Sequence, residues 1–452
     1  MNERKTLRQL FVPICIETLF YMLAGMVDTL MLSSVSDQAV GAVGTVNTYI
    51  GMFIIMFSIV STGMMTVMTQ NIGAKKPGIA YQARQIGIIF NTLLGIVISS
   101  ILLLGGGFVL DTIGIAAALR EPALHYLQIV GGCCFLNALI PIFSGYLRAF
   151  GFMKQPLTAT ILANIINLCL NAVFLFVFDM GVTGVAIATV ISKVINLIIV
   201  FIASVKFVNA KEDSHRLPSK EVFGQILKIG FPSAMESVLY YVTITIMIRF
   251  LNQMDSEGIN VTARSYTVQI TNFSYTIGAA LAQANAIITG WRVGAKEFDA
   301  CDKATKKAAL IGIIIAIAIE SVFALCAKPI MSLFTDNPQM VTLVAKLLAI
   351  DIILEIGRVS NLVFGNALKA SGDALFPVII ASIFMFFCTV GGTYFLGIHL
   401  NLLVIGGYIA ITLDECTRAI AMFLRWQSGK WKKNLLYRVS LKLLNSKIYF
   451  LE

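Results

Sequence analysis

Charge is scarce in this sequence. Only 13% of its 452 residues are Asp, Glu, Lys or Arg, about half the share in soluble globular chains, which excludes a protein kept in solution by a charged surface. Histidine is scarcer still: His125, His215 and His399 fall in loops or at the ends of apolar runs, so no imidazole is placed for acid–base or metal chemistry. The eight cysteines show no Cys-x-x-Cys spacing, and seven of them (Cys15, Cys133, Cys134, Cys169, Cys326, Cys388, Cys416) lie inside apolar runs. They read as small packing residues, not as a disulfide framework or a zinc site. A serine-nucleophile elbow, a metalloprotease helix motif and a phosphate-binding loop are all missing. An enzyme is not expected, and no cofactor is implied.

What the chain has in excess is apolar length. Hydrophobic residues make up 58% of it and its mean hydropathy is +0.84. A bilayer crossing takes about 20 apolar residues, and such runs stand at 10–32, 39–69, 86–110, 124–148, 156–178 and 181–205, then at 223–251, 262–290, 308–334, 340–367, 375–398 and 402–425. The expected fold is an all-α polytopic membrane protein with twelve transmembrane helices. The first run is too long for a signal peptide and contains Asp28, so it reads as a retained helix.

A net charge of +10 could suggest nucleic acid, but the basic residues sort by loop. Alternate connections hold Arg4, Lys5 and Arg8, then Lys75, Lys76 and Arg84, then Arg148 and Lys154, and so on to a basic tail, whereas the intervening connections contain only Arg120. By the positive-inside rule both termini are cytoplasmic and the protein crosses the cell membrane many times. The tail reads as a lipid-headgroup and orientation feature; no nucleic-acid partner is expected.

The sequence also repeats itself. Pro13, Glu17 and Tyr21 recur 219 positions later as Pro232, Glu236 and Tyr240. Gly73-Ala74-Lys75 recurs as Gly294-Ala295-Lys296, and Gly145, Leu147, Arg148, Ala149, Gly151 and Pro156 recur as Gly365, Leu368, Lys369, Ala370, Gly372 and Pro377. Six crossings per repeat make the halves parallel, two six-helix bundles related by a pseudo-twofold axis along the membrane normal. The expected organisation is an N-terminal bundle over 1–208, a linker over 209–222, a C-terminal bundle over 223–427 and a tail over 428–452. Substrate sites in such proteins lie between repeats, which suggests a central cavity.

Ionisable side chains kept in apolar helices are functional hypotheses by default. Glu17, Tyr21 and Asp28 fall within about 40° of one helix face. Glu17 could reach cytoplasmic water; Asp28 lies deeper. Crossing five adds Asn164, Asn167 and Asn171, and crossing six adds Thr189. A carboxylate, two amides and a hydroxyl suit a hard cation or a caged proton, although Asn and Thr also serve as interhelical packing. In the second half, Glu236 has no opposite charge within four residues. Glu355 with Arg358, Asp351 with Glu355, and Asp414 with Arg418 have helix-neighbour spacing and could be structural pairs. Met and aromatic residues, Tyr240 among them, could face flat hydrophobic cations, though most such residues in a membrane protein are core or lipid-facing.

Taken together, these residues resemble the multidrug and toxic compound extrusion (MATE) family of cation-coupled antiporters. The likeness rests on the six-plus-six crossings, the Gln70–Lys75 segment and its partner Gly294-Ala295-Lys296, and the paired Leu-Arg-Ala and Leu-Lys-Ala endings with Gly372-Asp373. It implies that Asp28 is the first-helix aspartate, with Asn167 and Asn171 the crossing-five polar pair and Thr189 the crossing-six threonine. These would form a cation or proton site, with Asp28, Asn167 and Asn171 as metal ligands only if the ion is Na+. It implies that Glu236 is the crossing-seven glutamate, a substrate or second-half coupling site with Tyr240, Glu355 and Arg358; Glu17, Tyr21, Asp414 and Arg418 are secondary candidates. Arg358 stands where the family often has an acid, and Asn171 where several members have Asp.

The expectation is therefore a monomeric secondary exporter driven by H+ or Na+, with a lipophilic organic cation as its substrate. A lipid-linked saccharide flippase, with a more cationic cavity, and a non-transporting scaffold or receptor are the rivals.

Overall fold

In the computed structural model, which describes residues 5–113, 115–210, 213–255 and 258–433, the described residues form helices and connections with no strand. Twelve long rods run in order: α1 Leu7–Ser33, α2 Asp37–Gly73, α3 Pro77–Leu104, α4 (Ala117–Gly131 continued as Phe135–Ala149), α5 Lys154–Phe176, α6 Gly181–Phe207, α7 Ser219–Met254, α8 Ile259–Gly294, α9 Phe298–Leu325, α10 Pro338–Ser371, α11 Leu375–His399 and α12 Leu403–Gln427. Short helices Gly106–Ile113 and Ala327–Met331 lie between α3 and α4 and between α9 and α10. The twelve expected crossings are these rods. Most of the tail, residues 434–452, lies outside the described residues.

Helix starts follow local chemistry. Thr6 caps α1 in a reciprocal box with Gln9, Ser36 caps α2, and Asn337 caps α10 ahead of Pro338, each satisfying amides that the first turn leaves unpaired. The ends explain part of the repeat. Gly151 and Gly372, which close α4 and α10, take positive φ of 84° and 98°, the left-handed conformation that glycine adopts freely. Lys75 and Lys296, one in each repeat, take φ of 60° and 62° just beyond α2 and α8.

Two rods are irregular. The parts of α4 meet at 42°, with a π turn at Leu127–Gly131 before the break. Wide turns over Met385–Gly391 and Thr393–His399 fill the second part of α11. Both loosen the backbone ladder, a common source of bends.

The chain folds as two compact units, Met1–Phe231 and Pro232–Glu452, so the boundary falls inside α7 at a residue with no N–H to donate. The opening turns of α7 are pressed against α2: a Cβ on Gly63 would strike the Ile226 carbonyl, and one on Gly230 the Ile59 carbonyl. Ahead of α7 the linker is docked on α3. Asp213 accepts the Gly78 N–H at 2.6 Å, and the Gln82 amide donates to the Leu217 carbonyl at 2.6 Å while accepting the Leu217 N–H at 3.1 Å.

Each unit has its own core. Leu32, Val46, Leu102, Leu127 and Val130 pack in the first, and Met247, Leu251, Val344, Leu348 and Tyr408 in the second. Between apolar helices in lipid, close packing replaces the hydrophobic effect as the cohesive force. Gly357 shows the result: its α-carbon faces the Cys416 backbone so closely that a Cβ would sit 2.8 Å from that nitrogen. α10 and α12 therefore approach closely, and their charged residues meet.

Candidate functional site

In the first unit, α1 and α5 lie side by side and bring three of the expected residues into one chain. Asn171 donates from Nδ2 to Asp28 Oδ1 at 2.8 Å and also to Asn167 Oδ1 at 3.2 Å. Asn171 is fully buried, and its own Oδ1 is buried with no hydrogen-bond donor. Thr189 joins by a different route: it approaches the hydroxyl of Tyr126 on α4, which donates to Asn47 Oδ1 on α2 at 3.3 Å and lies within the field of Asp28. One turn beyond Thr189, on the same face of α6, stands Lys193. Its ammonium interacts electrostatically with Asp28 and with Cys133 and Cys134 at the α4 break, and no carboxylate among the described residues is within ion-pair distance of it.

Glu17 and Tyr21 do not join this group as the helical wheel suggests. Glu17 is buried and salt-bridged to Arg148 of α4 at 2.6 Å, with Thr160 of α5 donating to the same oxygen at 3.2 Å. Tyr21 is 69% exposed, though within the field of Asp28.

The second unit repeats the first of these arrangements. Glu236, which has no opposite charge near it along its own helix, is paired across helices with Lys369 of α10 at 2.7 Å. Glu17 and Glu236 are repeat equivalents, and so are Arg148 and Lys369. The recurring residues are thus the two ends of a recurring ion pair.

Beyond that pair the second unit holds a charged network that the first lacks. Arg358 bonds Glu355 and reaches Glu415 of α12 at 3.7 Å. Arg418 grips both oxygens of Asp414, at 3.0 and 2.8 Å, and reaches Glu415 at 2.9 Å. Asn361 donates to the other oxygen of Glu415 at 3.0 Å. The Glu355–Arg358 and Asp414–Arg418 spacings are therefore real pairs, whereas Asp351 makes no ion pair among the described residues, and its buried Oδ2 has no hydrogen-bond partner among them. Glu320 of α9 is completely buried, with neither oxygen hydrogen-bonded among the described residues; Ser274 of α8 lies nearby, and Asp351 and Glu355 are within its electrostatic reach.

Beside this network opens a cavity of about 220 Å³, walled by Tyr240, Tyr241, Tyr275, Tyr408, Arg264, Asp351 and Arg358 among others. Tyr240 and Tyr241 meet edge to face at 6.0 Å, and the Arg358 guanidinium stands 5.9 Å from the Tyr275 ring. Tyrosine rings and mixed charges can hold a flat polar molecule. Among the described residues no group of three or more His, Cys, Asp or Glu is arranged to hold a metal ion.

Sequence reasoning passed over Lys193, Tyr126 and Glu320. Lys193 and Glu320 carried a signal, Lys193 as the lone charge of its apolar run and Glu320 as the lone acid of its own; Tyr126 carried none.

A family model described as MatE matches residues 13–173 and 232–395, one stretch in each repeat. The chain is 35% identical to the uncharacterized transporter YisQ of Bacillus subtilis over 93% of both chains. It is 22% identical to a probable multidrug resistance protein NorM of Thermotoga maritima, covering 95% of this chain and 93% of that one. A MATE crystal structure in a bent conformation superposes with a TM-score of 0.87 at 21% identity, over 95% of this chain and 96% of that one.

Proposed function

The chain belongs to the MatE family, membrane transporters and not enzymes, and from that premise we propose that it is a secondary active exporter of lipophilic small molecules, driven by inward movement of H+ or Na+ through alternating access. The observation that carries this reading is the Asp28 carboxylate, half-buried in an apolar unit and held by the Asn171 amide of α5, which also bonds Asn167. A carboxylate there is costly unless it exchanges occupants. Loading it with a cation removes its demand on Asn171, so α1 and α5 have different preferred contacts in the two states. A substrate that favours the unloaded arrangement is then expelled by linkage.

The substrate chamber in this reading includes the tyrosine-walled cavity of the second unit, whose rings suit a flat organic cation. A flippase for lipid-linked saccharides would favour a cationic chamber; here Arg358 is neutralised by Glu355 and Glu415, which favours the small-molecule exporter. We place both termini in the cytoplasm, on the strength of the basic loops, and expect the protein to act as a monomer in the cell membrane.

The test is efflux of ethidium from reconstituted vesicles under an imposed ion gradient. Asp28→Asn should lower gradient-driven efflux at least tenfold with normal insertion and folding; wild-type rates in that variant would remove Asp28 from the mechanism.

A further inference from the structure

We infer that the tyrosine-walled cavity of the second unit takes a small aromatic amino acid, with the guest's carboxylate at Arg264 and its ammonium at Asp351. This rests on the reading of that cavity as part of the substrate chamber, and it narrows the flat cation expected there to a molecule that also carries an acid.

The charges on the wall lead there first. Arg264, Asp351 and Arg358 all line the cavity, but they are not equally free. Arg358 bonds Glu355, reaches Glu415 and faces the Tyr275 ring, so its charge is spent within the protein. Arg264 of α8 makes no ion pair among the described residues, and its buried Nε has no hydrogen-bond partner among them. Asp351 of α10 is in the same condition at Oδ2. The two have opposite charges and share one space, yet they do not bond each other. Charged and polar groups left unpaired in a buried setting are costly. A guest that presents an anion to Arg264 and a cation to Asp351 removes both costs at once. A simple cation answers Asp351 but is repelled by Arg264, and a simple anion meets the reverse.

Size and surface chemistry fix the rest of the guest. The volume of about 220 Å³ lies below the roughly 300 to 1,000 Å³ of pockets that enclose drug-sized ligands. It leaves room for one ring system on a short chain. Tyr240 and Tyr241 of α7, Tyr275 of α8 and Tyr408 of α12 supply the wall, and such rings pack against another ring edge to face or offset. The planar fork of a guanidinium matches a carboxylate with two parallel hydrogen bonds. Arg264 therefore determines specificity: it admits the acid that an ordinary cation site would reject.

Three probes with the same ring and chain separate the charges: tryptophan, tryptamine, which lacks the acid, and indole-3-propionate, which lacks the amine. In calorimetric titrations of the purified full chain, tryptophan should bind at least tenfold more tightly than either of the others. Arg264→Gln should weaken tryptophan at least tenfold without weakening tryptamine, and Arg264→Lys should keep most of the tryptophan affinity. Asp351→Asn should weaken tryptophan without weakening indole-3-propionate. Tryptamine binding as tightly as tryptophan, or no binding of any probe at millimolar concentration, would overturn the inference; both readings use the unaltered protein and need no variant to fold. Arg264→Gln weakening all three probes alike would also overturn it, by making Arg264 a structural residue. None of these results touches ion-driven ethidium efflux, so the exporter reading and this one fail separately.

Discussion

The two halves share a frame and differ in what they keep inside it. Both tie a glutamate on their first helix to a base at the end of their fourth, Glu17 to Arg148 and Glu236 to Lys369, and both close that fourth helix with a left-handed glycine. The interiors then part company. Besides that pair the first unit keeps Asp28, bonded by the Asn171 amide; at the same 219-residue offset the second has Met247. The second unit instead holds Glu355, Arg358, Asp414, Glu415 and Arg418 as a knit of ion pairs on α10 and α12.

The difference is visible in hydropathy. Every rod of the first unit, counting the bent α4 as one, is strongly apolar along a full crossing length, while α8, α10 and α12 of the second are more polar. The pairs retained in both halves read as scaffold, and the features found in only one half as the sources of specific function.

That contrast can be broken most directly in the second half. Arg418→Met strands Asp414 and Glu415 in a buried setting and should cost about 3 to 5 kcal/mol, measured by thermal unfolding in detergent. Asp28→Asn, which leaves its amide neighbours able to rearrange, should cost under about 1 kcal/mol. Equal losses would mean that the halves are not divided between network and single site.

Next in size are the shared pairs. Arg148→Ala and Lys369→Ala should each cost about 2 to 3 kcal/mol, because each leaves a mostly buried glutamate unpaired. Double-mutant cycles with Glu17→Gln and Glu236→Gln should return coupling energies of about 1 to 3 kcal/mol in both halves. Coupling in one half only would show that the repeat preserves residues and not the interaction.

A smaller effect, of opposite sign, is expected at Glu320. Its oxygens are buried and without a hydrogen bond among the described residues, so Glu320→Met, which removes the polar group at similar size, should raise stability by about 1 kcal/mol. A loss in the same melting experiment would reveal a partner for the carboxylate.

The smallest lies in the linker. Burial pushes the Asp213 carboxyl up, but hydrogen bonds from the His215 ring and the Gly78 and His215 N–H groups outweigh it and hold it at about 2. A carboxyl lowered in the folded state stabilises above its unfolded value of about 3.9 and loses that contribution as the pH falls through about 2. At pH 3, pepsin should therefore cut the linker of Asp213→Asn a few times faster than that of the wild type.

Much of the architecture is written in the order of the chain. Twelve apolar runs need no tertiary knowledge to be counted, and a 219-residue offset exposes the repeat. Same-helix pairs are legible for the same reason, since Glu355 with Arg358 and Asp414 with Arg418 obey helical spacing. Partners on other helices are not. Glu236 looked unpaired because only its own helix was visible to that arithmetic, although Lys369 was already present in the repeated ending that matches Arg148. Tyr126 is one aromatic among many until the packing of α4 against α2 and α6 brings it to Asn47 and Thr189. The depth of Lys193 is legible, but its orientation toward Asp28 depends on how α6 is rotated, which a run of apolar residues leaves free.

Lys75 and Lys296 occupy a backbone shape that costs an ordinary side chain about 1 kcal/mol or more and that glycine would take without penalty. The chain tolerates this twin discomfort at matching corners of its halves. Exchanging either lysine for glycine should therefore relax the corner and raise the melting temperature, equally in the two halves, because the same left-handed turn closes α2 and α8.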